Sequence, residues 1–217
     1  MSSNDDLVND VTDELYWDPK VDNSAIAVSA DDGRITLRGT VGSFREKREA
    51  KTAAERVFGV VSVDNQLEVR LLNDDRRGDA ELRGDVLQAL MLDSLVPNTV
   101  DANVDDGFVT LTGTVDRQYQ RTEAEQVAGN IVGALDVLNA IELTNPTPDA
   151  DDVKEGIKKA FKRNAKLDAH DLSVASSDGN VTIEGTVSSW AEHDEALAAA
   201  WAAPGVTAVD DRMSVAY

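Results

Sequence analysis

The chain has 217 residues, no cysteine and a formal net charge of −20, with 41 Asp and Glu against 21 Lys and Arg. The absence of thiols excludes disulfides, thiolate metal sites and cysteine nucleophiles, and the acidity disfavours nucleic acid, whose binding needs Lys and Arg to neutralise phosphates. At 41% hydrophobic the chain is too apolar to be disordered, yet its longest apolar run, Ala196 to Ala203, falls far short of the roughly 20 residues of a membrane-spanning helix.

The polar, acidic opening MSSNDDLVND has no basic stretch followed by an apolar core, so the sequence as it stands reads as leaderless and cytoplasmic. Leu7, Val11 and Leu15 then recur every four residues, one slowly drifting stripe that predicts an amphipathic helix. Two alternating runs follow, Ile26-Ala27-Val28 and Ile35-Thr36-Leu37, with Asp31-Asp32-Gly33 between them; an Asp-Gly pair between such runs predicts a hairpin. After Gly39-Thr40-Val41, Ser43 and Glu46 have capping-box spacing and open a second helix. Its stripe is Ala50, Ala53, Ala54 and Val57, small side chains that predict close approach to a sheet. Gly59 ends it, and Val61–Val63 with Leu67–Val69 predict a last strand.

The same order is then spelled out twice more. The first helices recur as Leu82, Val86, Leu90 and as Val153, Ile157, Phe161; the turns recur as Asp105-Asp106-Gly107 and Ser177-Asp178-Gly179. Gly107 lies 74 residues after Gly33, and Gly179 lies 72 after Gly107; Gly39, Gly113 and Gly185 match, as do Gly59, Gly133 and Gly205. Those nine glycines read as structural, at backbone conformations open to glycine. Ser189 and Glu192 repeat the capping box, while the second copy offers Asp116 as its cap. The small-residue stripes become Ala124, Val127, Ala128, Ile131 and Ala196, Ala199, Ala200, Ala203. The expected class is therefore α+β: three tandem α-β-β-α-β units over 1–72, 73–145 and 146–217, each a small mixed three-stranded sheet covered by two helices.

Four features bear on function. The helix opening the third copy reverses the overall charge: Lys154, Lys158, Lys159, Lys162, Arg163 and Lys166 flank its apolar stripe, a pattern that meets lipid head groups or an acidic partner. Hairpin and loop carbonyls beside Asp31, Asp32, Asp105 and Asp106 are candidate contacts for a hard cation, potassium or calcium, which wants several oxygen ligands. His170 and His193 occur only in the third copy and read as surface histidines rather than metal ligands, and no nucleophile and base recur together, so no enzyme and no cofactor are expected. Phe44, Tyr119 and Trp190 recur near the second helix and read as core packing or a hydrophobic staple rather than a ligand platform. The Asp149, Asp151, Asp152 and Glu155 cluster reads as a helix start, and the two Arg-Gly-Asp triplets at 77–79 and 83–85 as coincidence.

The unit order, the DG-x-V-T-L-x-G-T-V hairpin and the ending Val57-Phe58-Gly59-Val60-Val61-Ser62-Val63-Asp64-Asn65-Gln66-Leu67 resemble the BON domain (bacterial OsmY and nodulation) over nearly the whole chain. The resemblance implies a non-catalytic α/β module. It implies envelope or periplasmic relatives linked to osmotic stress, with phospholipid as a proposed ligand and potassium as the ligand of some cytoplasmic members. As read from this sequence, the expectation is a departure from that pattern, with no leader and no LysM partner domain. The expectation is a non-enzymatic, stress-associated protein that binds a small ligand or cation in the cytoplasm. The alternatives are a peripheral phospholipid- or envelope-binding protein and a homo-oligomeric scaffold built on exposed sheet edges.

Overall fold

The computed structural model describes residues 3–72, 75–144, 150–164 and 172–216, with backbone alone at 150–152. Lys166, Asp149 and His170 lie outside these residues, as do the side chains of Asp151 and Asp152. Residues 1–113 with 121–141 form one compact unit, and 114–120 with 142–217 form a second.

The first unit opens with α1 (Asn4–Trp17). The Ser3 hydroxyl accepts the Asp6 N–H and the Asp6 carboxylate accepts the Ser3 N–H, both at 3.1 Å, so two otherwise orphaned donors are satisfied reciprocally. Leu7, Val11 and Leu15 are buried as the spacing requires. A 3₁₀ turn over Asn23–Ala25 leads into β1 (Ile26–Asp31), which pairs antiparallel with β2 (Arg34–Val41). The two residues between them, Asp32 at φ 45° and Gly33 at φ 79°, are both left-handed, as a tight Asp-Gly hairpin demands. After α2 (Phe44–Glu55), β3 (Ser62–Val69) returns parallel to β2, so β2 is central. Ala50, Ala53 and Ala54 are fully buried among Ile35, Leu37, Val60 and Leu67, which is the close helix–sheet approach that small side chains permit.

The capping boxes form with one shift. Ser43 accepts the Glu46 N–H at 3.2 Å, but the Glu46 carboxylate reaches past Ser43 to the N–H groups of Gly42 (2.8 Å) and Asp22 (2.6 Å). Later in the chain Ser189 accepts the Glu192 N–H at 3.2 Å, and Glu192 returns to the N–H and hydroxyl of Ser188.

The order recurs in α3 (Asp79–Leu92), β4 (Val100–Asp105), β5 (Phe108–Val115), α4 (Gln118–Gly129) and β6 (Asp136–Asn139). Two sequence expectations need correction here. The last strand is broken: β6 pairs parallel with the start of β5, and β7 (Glu142–Leu143) resumes beside its end in the same register. Asp116 does not cap α4. The Gln120 side-chain carbonyl accepts the N–H groups of Asp116 (3.1 Å) and Arg117 (3.0 Å), while the Asp116 carboxylate accepts from the Thr144 hydroxyl at 3.4 Å.

In the second unit α5 (Ala150–Arg163), β8 (Leu172–Ser177), β9 (Asn180–Val187), α6 (Trp190–Trp201) and β10 (Ala208–Val215) complete the third repeat. The strand order is β8-β9-β10, antiparallel then parallel, the pattern of the first repeat. Val153, Ile157 and Phe161 of α5 meet Ala196 and Ala200 of α6 and Val181 and Ile183 of β9 in one core. Among the described residues the fold is thus three small mixed sheets with six α-helices, as the repeat pattern requires.

Candidate functional site

The hairpin turns are committed to the fold. Gly33 carbonyl oxygen accepts the Val61 N–H at 2.7 Å, Gly107 that of Leu135 at 2.9 Å and Gly179 that of Thr207 at 2.8 Å, so each hairpin tip fixes the start of the last strand beside it. The turn N–H groups are used as well. Asn4 accepts from Asp32 at 3.2 Å, and the two oxygens of Asp79 accept from Asp106 and Gly107 at 3.0 Å each. Asp32, Asp106 and Asp178 all hold left-handed φ of 45–49°, a conformation that Asp tolerates better than most residues. Asp31 and Asp32 therefore sit in one turn, and Asp105 and Asp106 in another. Among the described residues no three His, Cys, Asp or Glu side chains gather in a way that could hold a metal ion.

The structure brings the basic candidates together on α5. Val153, Ile157 and Phe161 point into the core, which leaves Lys158, Lys159, Lys162 and Arg163 exposed and Lys154 half-buried along the other side. Lys158 lies 3.7 Å from Glu155; Lys154, Lys159, Lys162 and Arg163 enter no ion pair with any described residue. In a chain of charge −20 this outer face gathers positive charge that, among the described residues, only Glu155 offsets.

Three features escape the sequence reading. A hollow of about 520 Å³ lies against the end of β3 and the start of α3, lined by Arg70, Arg76 and Arg77 with Glu68, Asp79 and Asp106. Arg77 is already tied to Asp85 of α3, and Gly78 is the N-cap of α3, so the first Arg-Gly-Asp triplet is a helix start; the second lies inside α3. The second feature is an ion pair in the first repeat between a half-exposed arginine and a buried aspartate. Arg56 donates to Asp18 at 2.7 Å and to Glu14 at 2.9 Å, and the Arg56 hydrogen bond holds the Asp18 carboxyl below its ordinary range. Nothing in the sequence links residues so far apart.

The third is His193, which is buried, at 7% exposure, and not a surface histidine. Its Nε2 lies 2.8 Å from Asp211 Oδ2 and its Nδ1 lies 3.3 Å from Asp194 Oδ1, with the Trp190 ring edge-on at 4.8 Å between centroids. The hydrogen bond with Asp194, and that with Asp211, hold its pKa above the ordinary value while burial opposes them. Of the three aromatics expected in the core, Phe44 is buried and Trp190 half-buried, but Tyr119 is 55% exposed, one place along from the matching position.

No helix among the described residues is long and apolar enough to cross a membrane. Among curated proteins, Osmotically-inducible protein Y of Escherichia coli (strain K12) is 33% identical over 127 residues, 56% of this chain and 63% of that protein. Two solved structures of CdsD, a structural protein of the type III secretion system of Chlamydia trachomatis, one of them its C-terminal domain, are 14% identical. They cover 96% and 98% of this chain, and 91% and 98% of their own, at TM-scores of 0.26 and 0.27, a likeness too slight to carry an argument. The model of the BON domain matches residues 3–70, 78–145 and 149–217, the three stretches in which helix, stapled hairpin, helix and returning strand recur, and the chain belongs to the BON domain family.

Proposed function

We propose that the chain is a non-enzymatic protein of the osmotic-stress response that acts by binding, and that its contact surface is the cationic face of α5, which docks on anionic head groups such as those of phospholipids. The stress association rests on the similarity to Osmotically-inducible protein Y. The non-enzymatic reading rests on what is repeated: turn glycines, helix caps and core positions, none of them a reactive group. The observation that carries the contact surface is the row Lys154, Lys159, Lys162 and Arg163 beside Lys158, which pairs with no carboxylate among the described residues other than Glu155. The apolar stripe of α5 is spent on the core, so the helix has nothing to insert into acyl chains. Contact is electrostatic and peripheral, on the order of 1 kcal/mol per cationic residue near an anionic surface, and it is screened by salt.

Vesicle flotation tests this. The wild-type chain should float with vesicles rich in phosphatidylglycerol, less so as salt rises, and not with phosphatidylcholine alone. Replacing Lys158, Lys159 and Lys162 together by Glu should abolish flotation; unchanged flotation would move the contact elsewhere. The cation reading draws on Asp31, Asp32, Asp105 and Asp106, whose turns already use their N–H groups and glycine carbonyls internally, so it is the weaker of the two. A cytoplasmic placement gains no support from the similarity to an osmotically inducible protein.

A further inference from the structure

The last strand of each repeat carries an amide or an acid at one matching position: Asn65, Asn139 and Asp211. In the first two repeats this residue does one job. Asn65 Nδ2 donates to the Lys47 carbonyl on α2 at 2.7 Å while its Oδ1 accepts the Leu67 N–H at 3.2 Å. Asn139 Nδ2 donates to the Arg121 carbonyl on α4 at 2.9 Å while its Oδ1 accepts the Ile141 N–H at 3.3 Å. One uncharged side chain thus ties helix to strand. In the third repeat Asp211 Oδ1 still accepts the N–H two residues on, from Met213 at 3.0 Å. A carboxylate, however, has no N–H to give the helix. The helix residue that matches Lys47 and Arg121 is His193, and its ring closes the gap from the other side, Nε2 to Asp211 Oδ2 at 2.8 Å. The donor has moved from strand to helix, and with it the tie has become titratable.

We propose that the join between α6 and β10 is a proton-operated latch: a proton on His193 draws the helix onto the strand, and its loss loosens the third repeat alone. An imidazolium donates to Asp211 and Asp194 together, whereas a neutral ring that donates from Nε2 turns a bare Nδ1 lone pair toward the Asp194 carboxylate. The groups that face the ring are Asp194 from α6 and Asp211 from β10. Asp210 and Arg212 point to the other face of β10 and pair with one another at 2.7 Å; Glu192 is held by Ser188, and Asn164 at the end of α5 donates to Glu195. Glu184 of β9 and Lys158, Lys159, Lys162 and Arg163 of α5 are exposed, Lys154 is half-buried, and none of them pairs with the ring.

The geometry agrees with the direction of the shift. The His193 pKa is raised above its ordinary 6.5. A raised folded-state value stabilises in full below pH 6.5, and the contribution is lost as pH climbs through the folded value.

Native-state hydrogen exchange on the full chain, with His170→Gln so that His193 is the one imidazole, tests the latch. Exchange is corrected for its intrinsic pH dependence and followed from pH 5.5 to 8.5, alongside an NMR titration of the ring. His193 should titrate above 6.5. Protection of the β10 amides should fall by up to about tenfold for each unit by which folding raises the His193 pKa, while β3 stays flat. Asp211→Asn restores the amide of the other repeats and should flatten the β10 profile. Should that variant fail to fold, His193→Lys with Asp211→Asn rebuilds the pair of the first repeat and should be equally flat. A ring that titrates at or below 6.5, or a β10 profile that keeps its slope in either variant, overturns the proposal.

Discussion

Gly39 shows how a single hydrogen in place of a side chain can decide a fold. Its φ of 126° lies where L-residues are strained, and a Cβ there would drive into the Ala25 carbonyl oxygen; Gly113 meets Thr99 in the same way. Gly39→Ala should therefore cost about 2–4 kcal/mol in urea unfolding, more than ordinary surface substitutions. Arg56 makes a subtler case. Removing its guanidinium with Arg56→Met takes the partners from Asp18 and Glu14 in a site where Arg56 itself is 46% exposed, so about 1 kcal/mol is expected at pH 7. Asp18 has a depressed folded-state pKa, so its contribution is present above the ordinary 3.8 and vanishes as pH falls through the folded value. Denaturation curves of parent and variant should converge below that point; a constant gap would mean that Arg56 acts by packing alone. The glycines were legible because each copy repeats them, whereas the Asp18–Arg56 pair has no counterpart: the chain places Asn130 and Ala202 where Arg56 would recur.

Among the elements, α4 separates what a motif says from what a helix does. Asp116 has the residue type of a cap, but the work of holding the first turn falls to Gln120. Gln120→Ala should cost about 0.5–1 kcal/mol by thermal melting, and Asp116→Ala less than about 0.5. Equal losses would restore Asp116 as the cap. The helices and hairpins themselves were readable because burial has a period: Leu7, Val11 and Leu15 every four residues, Ile35 and Leu37 every two. The break between β6 and β7 was not, since Ala140 and Ile141 leave the strand without any glycine or proline to announce it. The burial of His193 was hidden for a different reason. Its match with Lys47 and Arg121 suggests a solvated position, and only the acid at Asp211 on the facing strand explains why the ring turns inward.

For the molecule as a whole, charge is the dominant variable. At −20, like charges crowd every repeat, and screening should raise the melting temperature with any salt. Potassium and sodium at equal ionic strength should give superimposable curves, and so should calcium and magnesium. A separation within either pair would revive a specific site, because binding to the folded state alone adds stability, on the order of 2.7 kcal/mol at 100 times the Kd. Composition made this legible at once; the surface on which the positive minority gathers needed both the stripe of α5 and the scarcity of ion pairs to it among the described residues.

The staple at each hairpin tip bears on how the chain escapes its own redundancy. The glycine carbonyl that receives the returning strand is the same in all three repeats, and the strands that meet there, β2 with β3 and β9 with β10, are eight residues long in the same parallel register. The backbone pattern at the docking edge is therefore common to the copies, and only side-chain packing distinguishes a copy's own strand from another's. Order of emergence from the ribosome favours the native pairing, since each earlier strand can dock on its own hairpin before the next hairpin emerges. A chain denatured whole and renatured in crowded solution has no such chronology, and strand exchange between copies, or between molecules, is the characteristic error open to it.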